Sequence, residues 1–301
     1  MTSPSRPSVA LVTCAEYPAL PPDDLLLVAA LERRGLRPLA ARWDDPAVRW
    51  DRYAAVVLRA TWDYHHRATE FEGWLERLQR SGARVFNPLP TVRWNLRKTY
   101  LRDLEAAGLD VAGTVWAAAG SSTTLRRIAA ESGWATMVVK PTISSTGWET
   151  WLVERAGVPA DEERFARLLA VRDLMIQPFL RGILTEGETS LIFLDGRYSH
   201  AVRKRARPGE FRVQEEHGGT VESETPAAAL VRDGARALAA IPAPASPGGP
   251  PLYARVDGVQ EGGRLVITEL ELIEPALYFT QHPPAADRMA GALAERVSEG
   301  V

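Results

Sequence analysis

Three carboxylates near the C-terminus stand at spacings that could hold a metal ion. In LVITELELIEP, residues 265–275, the run Thr268-Glu269-Leu270-Glu271-Leu272 alternates polar and apolar residues. Period two is the pattern of a half-buried strand, and it sends Glu269 and Glu271 to one face. Neighbouring carboxylates repel, so water, arginines or a bound cation must compensate. Upstream, LYARVDGVQ and the Gly-rich EGGR complete a hairpin. With a three-residue loop, Glu261-Gly262-Gly263, Arg255 lies opposite Glu269 and Asp257 joins the acidic face. An even-numbered loop turns Asp257 to the other side. The odd register gathers Asp257, Glu269 and Glu271 beside Arg255. Hard oxygen donors in that number suit Mg²⁺ shared with substrate phosphates. The plainer alternative is a solvated strand face with an Arg255–Glu269 surface pair, worth little.

Other segments carry the charges and loops that a polyphosphate would need. VVKPTISSTGWET places Lys140 at the end of an apolar strand, directly before a loop containing Ser144, Ser145, Thr146 and Gly147. Backbone N–H groups and hydroxyls of such a loop can wrap phosphates while the lysine supplies a point charge. No GxxxxGK[ST] motif is present, so the loop is not a Walker A. Lys98, in NLRKTYL, opens a helix three residues after Asn95; alone it reads as a solvated charge. In LMIQPFLRG a strand ends at Gln177-Pro178-Phe179, where proline frees backbone groups at an apolar strand end to bind a flat ring. The run AVRKRARPGEFRV contains Arg203, Lys204, Arg205, Arg207 and Arg212. It reads as a charged hairpin edge or as an anion-binding arm. A nucleic-acid patch is poorly supported, because aromatic residues do not interleave the run.

These residues need a scaffold, and the chain supplies one. SVALVT (8–13) is a buried strand, a helix follows at 23–34, a second strand lies at 54–58, then a helix at 68–81 and a short strand in ARVFNP. This β-α-β-α-β alternation is the pattern of a small parallel sheet with helices on its faces. Ligands of such sheets sit at the strand C-terminal ends, where Cys14 to Tyr17 and Arg59 to Tyr64 fall. From residue 91 the pattern changes to a helix at 92–107, a strand at 112–117, a helix at 123–132 and the strand TMVVKP. A further strand, a helix at 160–170 and LMIQPFL follow. SLIFLDG and YSHAVRKRA form a hairpin through Asp195-Gly196. A helix at 226–240 and the linker IPAPASPGGPP lead to the acidic hairpin.

With 301 residues, 46% hydrophobic and 25% charged, the chain is an ordinary globular protein with a net charge of −2. That charge gives no global argument for nucleic acid or membrane. The one cysteine, Cys14, excludes an internal disulfide and fits a cytoplasmic location. No apolar run reaches the ~20 residues of a membrane span, and MTSPSRPS has no signal segment. His65 and His66 are the only adjacent histidines; chain neighbours rarely share a metal, so no zinc site is assigned. Among nine tryptophans, Trp62 and Trp148 are placed near ligand.

In order, the chain shows a lysine on a helix, a lysine ending a strand, a Ser/Thr/Gly loop, a hinge strand, a cationic run and Asp…Glu-x-Glu. This order resembles the ATP-grasp superfamily, on the glutathione synthetase side, and ARVDGVQEGGRLVITELELIEP is similar to its R-x-D…E-x-N…P. RATWDY, SLIFLDG, VRKRARPGEFRVQEEHGG and ELELIEP look most like the branch containing the O-ureido-serine cyclo-ligase of cycloserine biosynthesis. The fold so implied is α/β: a substrate-binding parallel domain at 1–91, a small ATP-grasp lobe or lid at 92–180, and a large lobe at 181–301.

The resemblance implies ATP contacts from Lys98, Lys140, Lys204 and the loop Ser144 to Gly147. It implies adenine recognition by the main chain of Gln177, Pro178, Phe179 and Leu180, with Glu186 or Glu188 near the ribose. Asp257, Glu269 and Glu271 would hold one or two Mg²⁺, with Mn²⁺ as the alternative ion. Arg212 and Arg255 would act at the γ-phosphate and the oxyanion. Glu16, Arg59, Asp63 and Tyr278 would meet a small amino-acid-like substrate. A homo-oligomer, dimer or tetramer, is expected, with neither nucleic acid nor membrane as partner. The implied activity is an ADP-forming ligase that makes a C–N bond through an acyl phosphate. Alternatives are a peptide-type ligase joining two small molecules, a kinase, or an ATP-binding regulatory module without turnover. Two departures stand out: Glu271 replaces the usual Asn of E-x-N, and IEPALYF lacks the small-residue turn of the dipeptide-forming ligases.

Overall fold

A computed structural model of the chain describes residues 6–299; the first five residues of MTSPSRPS and the last two of the chain lie outside the described residues. Three sheets follow one another along the chain. The first is wholly parallel, in the order β2-β1-β3-β4. Its strands are β1 (Ser8–Thr13), β2 (Arg37–Arg42), β3 (Ala55–Ala60) and β4 (Val85–Phe86). Alternation along β1 decides what covers each face. Val9 and Leu11 pack with Leu27 and Leu31 of α1 (Pro22–Arg33), whereas Ala10 and Val12 pack with Phe71, Trp74, Leu75 and Leu78 of α2 (Ala68–Arg80). The spacing of those four α2 residues makes one apolar helical stripe. β2 was not anticipated, since RPLAAR is an edge strand without an apolar run.

The expected helix over 92–107 is broken. It consists of α3 (Leu89–Asn95), a 3₁₀ turn at Lys98–Tyr100 and α4 (Leu101–Ala106). Long-range bonds outcompete helical ones at the break. The Asn95 amide donates to Leu270 O (2.8 Å) and accepts from Leu272 N (2.8 Å), while Lys98 N donates to Thr142 O (2.8 Å). Asn95 thus does for the acidic strand what a neighbouring strand would do.

The second sheet is antiparallel, in the order β5-β8-β6-β7. Its strands are β5 (Val115–Ala117), β6 (Thr136–Pro141), β7 (Trp151–Glu154) and β8 (Leu174–Pro178). Helices α5 (Leu125–Ser132) and α6 (Val158–Leu169) bury Ile128, Phe165 and Leu169 against Met137, Val139 and Ile176 on one face. The opposite face carries Val138, Lys140 and Gln177 toward the third sheet.

After the short α7 (Gly182–Thr185), the third sheet runs β11-β10-β9-β12-β13, again antiparallel. Its strands are β9 (Glu188–Leu194), β10 (Arg197–Arg205), β11 (Thr220–Glu224), β12 (Tyr253–Glu261) and β13 (Arg264–Glu271). Helix α8 (Ala228–Ala239) covers one face through Leu230 and Ala237, against Leu191, Phe193 and Val256. The other face is divided. Ile192, Leu194, Val202 and Tyr253 join the core beneath the parallel sheet, and the charged ends of the same strands stay in a cavity. The segment 241–251 is anchored at Ala245, whose carbonyl accepts from the buried Thr91 hydroxyl, while Ala243, Pro244 and residues 247–250 are exposed. Helix α9 (Pro284–Ser298), which sequence reasoning passed over, returns to α1 and places Ala285, Met289 and Leu293 in its core. No described helix is long and apolar enough to cross a membrane.

Candidate active site

The hairpin β12–β13 brings the three carboxylates together by a register different from the expected one. Its loop is two residues, Gly262-Gly263, with φ of +55° and +79°, and Glu261 pairs with Arg264. Positive φ at both loop positions is what a two-residue type I′ hairpin turn requires. An even loop alone would have put Asp257 on the far face. A bulge restores it: Gly258 pairs with Ile267 but Asp257 pairs with Glu269, leaving Thr268 extra. Arg255 therefore lies opposite Glu271, not Glu269. Gly258 permits the bulge, since a Cβ there would stand 2.7 Å from Val266 O. The released Thr268 hydroxyl donates to Glu188 at 2.8 Å.

Asp257, Glu269 and Glu271 each offer an oxygen within 4.8 Å of the others. Basic residues from four elements of the chain surround them. Lys98 and Lys140 reach Glu269 at 3.0 and 3.6 Å. Lys204 lies between Glu188 (2.6 Å) and Asp257 (3.1 Å). Arg255 grips Asp257 at 2.9 Å and also contacts Glu271. Ser190 donates to Asp257 at 2.6 Å.

The charges are unevenly balanced. Burial tends to raise the Glu269 carboxyl, but Lys98 and Lys140 outweigh it and hold the group well below the carboxylate range. For Glu271, burial dominates. Although Arg255 opposes it, repulsion from Asp257, Glu269 and Glu274 helps to push the group up to about 8. Burial also lowers Lys140, with Lys98 beside it adding to the shift. Three hard oxygens with a residual repulsion fit a divalent cation, which would relieve Glu271.

Lys140 and Val138 line the cavity from the second sheet, together with the loop Ser144, Ser145, Thr146 and Gly147. Lys98 Nζ donates to Ser144 O at 3.1 Å, fixing the loop's start. Across the cavity the loop meets Arg212 and His217. A Cβ on Gly147, whose φ is +70°, would lie 3.1 Å from Arg212 Cδ. The His217 ring nitrogen is 2.9 Å from Thr146 O. Arg212 itself pairs with Glu210 at 2.8 Å. Pro178, Phe179 and Leu180 line the cavity, as does Gln177, whose amide donates to Thr114 Oγ1 at 2.9 Å.

Not every expected residue arrives there. Of the two ribose candidates, Glu188 is buried in the wall, whereas Glu186 is exposed and outside it. Tyr278 lines the cavity with its ring against the Arg255 guanidinium (5.7 Å), but Glu16, Arg59 and Asp63 do not. Glu16 is exposed; Asp63 accepts from Trp43 Nε1 at 2.7 Å; Arg59 is buried on Asp24 at 3.0 Å. A strand's C-terminal end places a residue near the crevice, but local pairing decides where its side chain points. Trp62 is in the wall, while Trp148 packs on His65 and His66 at 5.3 and 5.1 Å between ring centroids. Tyr64, the last residue of the strand end expected near ligand, is in the wall, whereas sequence reasoning missed Phe211 and Glu274 there. Glu274 lies three residues past the end of β13 and off the period-two face of Glu269 and Glu271; only its place before Pro275 hinted at it. Burial raises its carboxyl to about 7.

Residues 9–87 match the family model described as the N-terminal domain of D-cycloserine synthetase DcsG. Over 302 residues the chain is 34% identical to cycloserine biosynthesis protein DcsG of Streptomyces lavendulae, covering 96% of this chain and 98% of the relative. The chain belongs to the DcsG family. The crystal structure of D-cycloserine synthetase DcsG superposes with a TM-score of 0.86 at 33% identity, over 96% and 99% of the two chains. More distant likenesses show the ATP-grasp fold. The ligase PsnB, solved with a precursor peptide and AMPPNP, gives a TM-score of 0.63 at 18% identity, covering 99% of each chain. D-alanine–D-alanine ligase of Bacillus anthracis, solved with ATP, gives 0.67 at 14%, covering 97% and 99%. The protein is thus an ATP-grasp ligase, as the order of its lysines, loop and carboxylates implied.

Proposed function

We propose that this DcsG-family ligase activates the carboxylate of a small amino-acid-like substrate with ATP and closes a C–N bond within the same molecule, as in the conversion of O-ureido-D-serine to cycloserine. In this reading residues 1–91 carry the substrate, 92–180 form the lid over the nucleotide, and 181–301 hold the metal and the reacting groups. The observation that carries it is the meeting, in one cavity, of Lys98 and Lys140 with the carboxylates of Asp257, Glu269 and Glu271.

The chemistry follows from that arrangement. A substrate carboxylate oxygen attacks the γ-phosphorus of ATP, and the bond to the bridging oxygen of ADP breaks. The substrate's own ureido nitrogen then attacks the acyl carbon, and phosphate leaves with the carboxylate oxygen. Water must then take the carbamoyl group from that ring nitrogen, released as CO2 and ammonia, to leave cycloserine. Lys98 and Lys140 would orient the polyphosphate beneath the Ser144–Gly147 loop, and the strand end at Gln177 to Leu180 would seat the adenine. Arg255, fixed by Asp257 and Glu271, would face the developing oxyanion, with Arg212 on the loop side. Mg²⁺ held by Asp257, Glu269 and Glu271 would neutralise charge on the transferring phosphoryl group. No covalent link to the protein is needed; orientation and charge neutralisation suffice.

The test is isotopic. O-ureido-D-serine labelled with ¹⁸O in its carboxylate should deliver one ¹⁸O to inorganic phosphate per ADP formed. Unlabelled phosphate would refute activation of the carboxylate. A phosphorylated product that accumulates would replace ligation by a kinase reaction.

A further inference from the structure

Five carboxylates among the described residues are almost wholly buried: Asp24, Glu188, Asp233, Asp257 and Glu274. Four have a cationic partner. Asp24 pairs with Arg59 at 3.0 Å, Glu188 with Lys204 at 2.6 Å, Asp233 with Arg264 at 3.1 Å, and Asp257 with Arg255 at 2.9 Å. Glu274, at 8% exposure, forms no ion pair with any described residue. It lies in the cavity wall beside Tyr64, whose hydroxyl is its side-chain hydrogen-bond neighbour. A buried charge without a counter-charge is costly, so a fold that retains one in a ligand cavity leaves room for a cation from the ligand.

The backbone under Glu274 is held from two sides. Trp62 Nε1 donates to Glu274 O at 2.9 Å, and Arg59 Nη2 donates to Pro275 O at 2.9 Å. Arg59 is in turn fixed by Asp24. This explains why Arg59 stays out of the cavity: it positions the segment that presents Glu274. The clamp comes from the parallel-sheet domain, so Glu274 stands where that domain meets the end of the acidic strand.

We propose that Glu274 binds the ammonium group of the amino-acid substrate and selects for a free amine. The inference rests on the proposed ligase reading and deepens it. An amino acid carries its ammonium one carbon from its carboxylate. Glu274 would take the first while Arg255 and the metal-ligand face take the second. Tyr64 would accompany the ammonium through its hydroxyl.

The probes are O-ureido-D-serine and its deamino counterpart, 3-(ureidooxy)propanoate, measured with Mg²⁺ and ATP for turnover and with AMPPNP for binding. The expected wild-type protein prefers the amine in KM and Kd by about 10- to 100-fold. Glu274→Gln should reduce that preference to within about threefold, while the KM for ATP stays within twofold. Glu274→Asp should recover part of it. Unliganded Glu274→Gln should melt no lower than wild type, because Glu274 has no ion pair to lose, whereas a merely structural glutamate would lower the melting temperature. A preference retained in Glu274→Gln overturns the proposal. So does a wild-type protein that binds both probes equally; if either probe then drives ADP release, the ligase reading stands without this residue. If neither probe nor any other carboxylate drives ADP release, both readings fall.

Discussion

Glu269 stands between two roles, and Glu269→Gln separates them. In the structure it neutralises Lys98 at 3.0 Å and Lys140 at 3.6 Å. With an effective dielectric constant of about 20, those contacts are worth roughly 5 kcal/mol each before desolvation and the repulsion between the lysines are subtracted. Removing one member of such a buried set leaves a net loss of about 3 kcal/mol. For a chain of this length that corresponds to a fall in melting temperature of about 5 °C. Nucleotide binding should respond in the opposite sense. In the wild-type protein, phosphates must take the lysines from Glu269. In Glu269→Gln the lysines are already free, so ADP in EDTA should bind as tightly as to wild type, or up to about tenfold tighter. Added Mg²⁺ should then strengthen ADP binding to the wild type but not to the variant, which has lost a metal ligand. Calorimetric titration of ADP with and without Mg²⁺ measures both effects. A variant that gains as much from Mg²⁺ as the wild type would refute the reasoning, as would equal weakening with and without the metal.

Two further outcomes are expected. Gly258→Ala places a Cβ 2.7 Å from Val266 O, so the bulge at Thr268 must shift. A stability loss of about 2 kcal/mol or more by denaturant melting, together with loss of ADP release, is expected, and wild-type values would show that the bulge does not set the site. His200, whose ring bonds Leu277 O at 2.9 Å beside Tyr278, is held at about 4 by burial, below its ordinary 6.5. Because the unfolded chain takes up the proton first, its contribution falls as pH drops from 6.5 toward 4, by an order of 1–3 kcal/mol. Melting temperatures across that window should decline less steeply in His200→Gln, and parallel curves would remove His200 as the cause.

Much of this architecture could be read from the sequence because apolar runs mark buried strands whatever surrounds them. SVALVT, TMVVKP and SLIFLDG became β1, β6 and most of the β9 turn for that reason. RPLAAR and α9 were missed because an edge strand and an Ala-rich helix carry weak patterns. The break after Asn95 depends on hydrogen bonds to Leu270 and Leu272, which lie 175 and 177 residues away. The acidic face was anticipated for an incomplete reason: loop length and bulge each changed parity, and their combined effect matched the odd register. Pairing along a strand tells faces apart but does not show a bulge. Nor does it distinguish Arg59, turned inward to Asp24, from a residue at the same strand end that faces ligand.

The most direct test of the metal–nucleotide site uses Mn²⁺ as a paramagnetic substitute for Mg²⁺, with AMPPNP bound. Electron–nuclear double resonance should detect ³¹P coupling from the analogue's phosphates in the wild-type protein. Asp257→Asn and Glu269→Gln should each weaken Mn²⁺ binding by at least about tenfold. An ion showing no phosphorus coupling, or one bound equally well by both variants, would contradict the account.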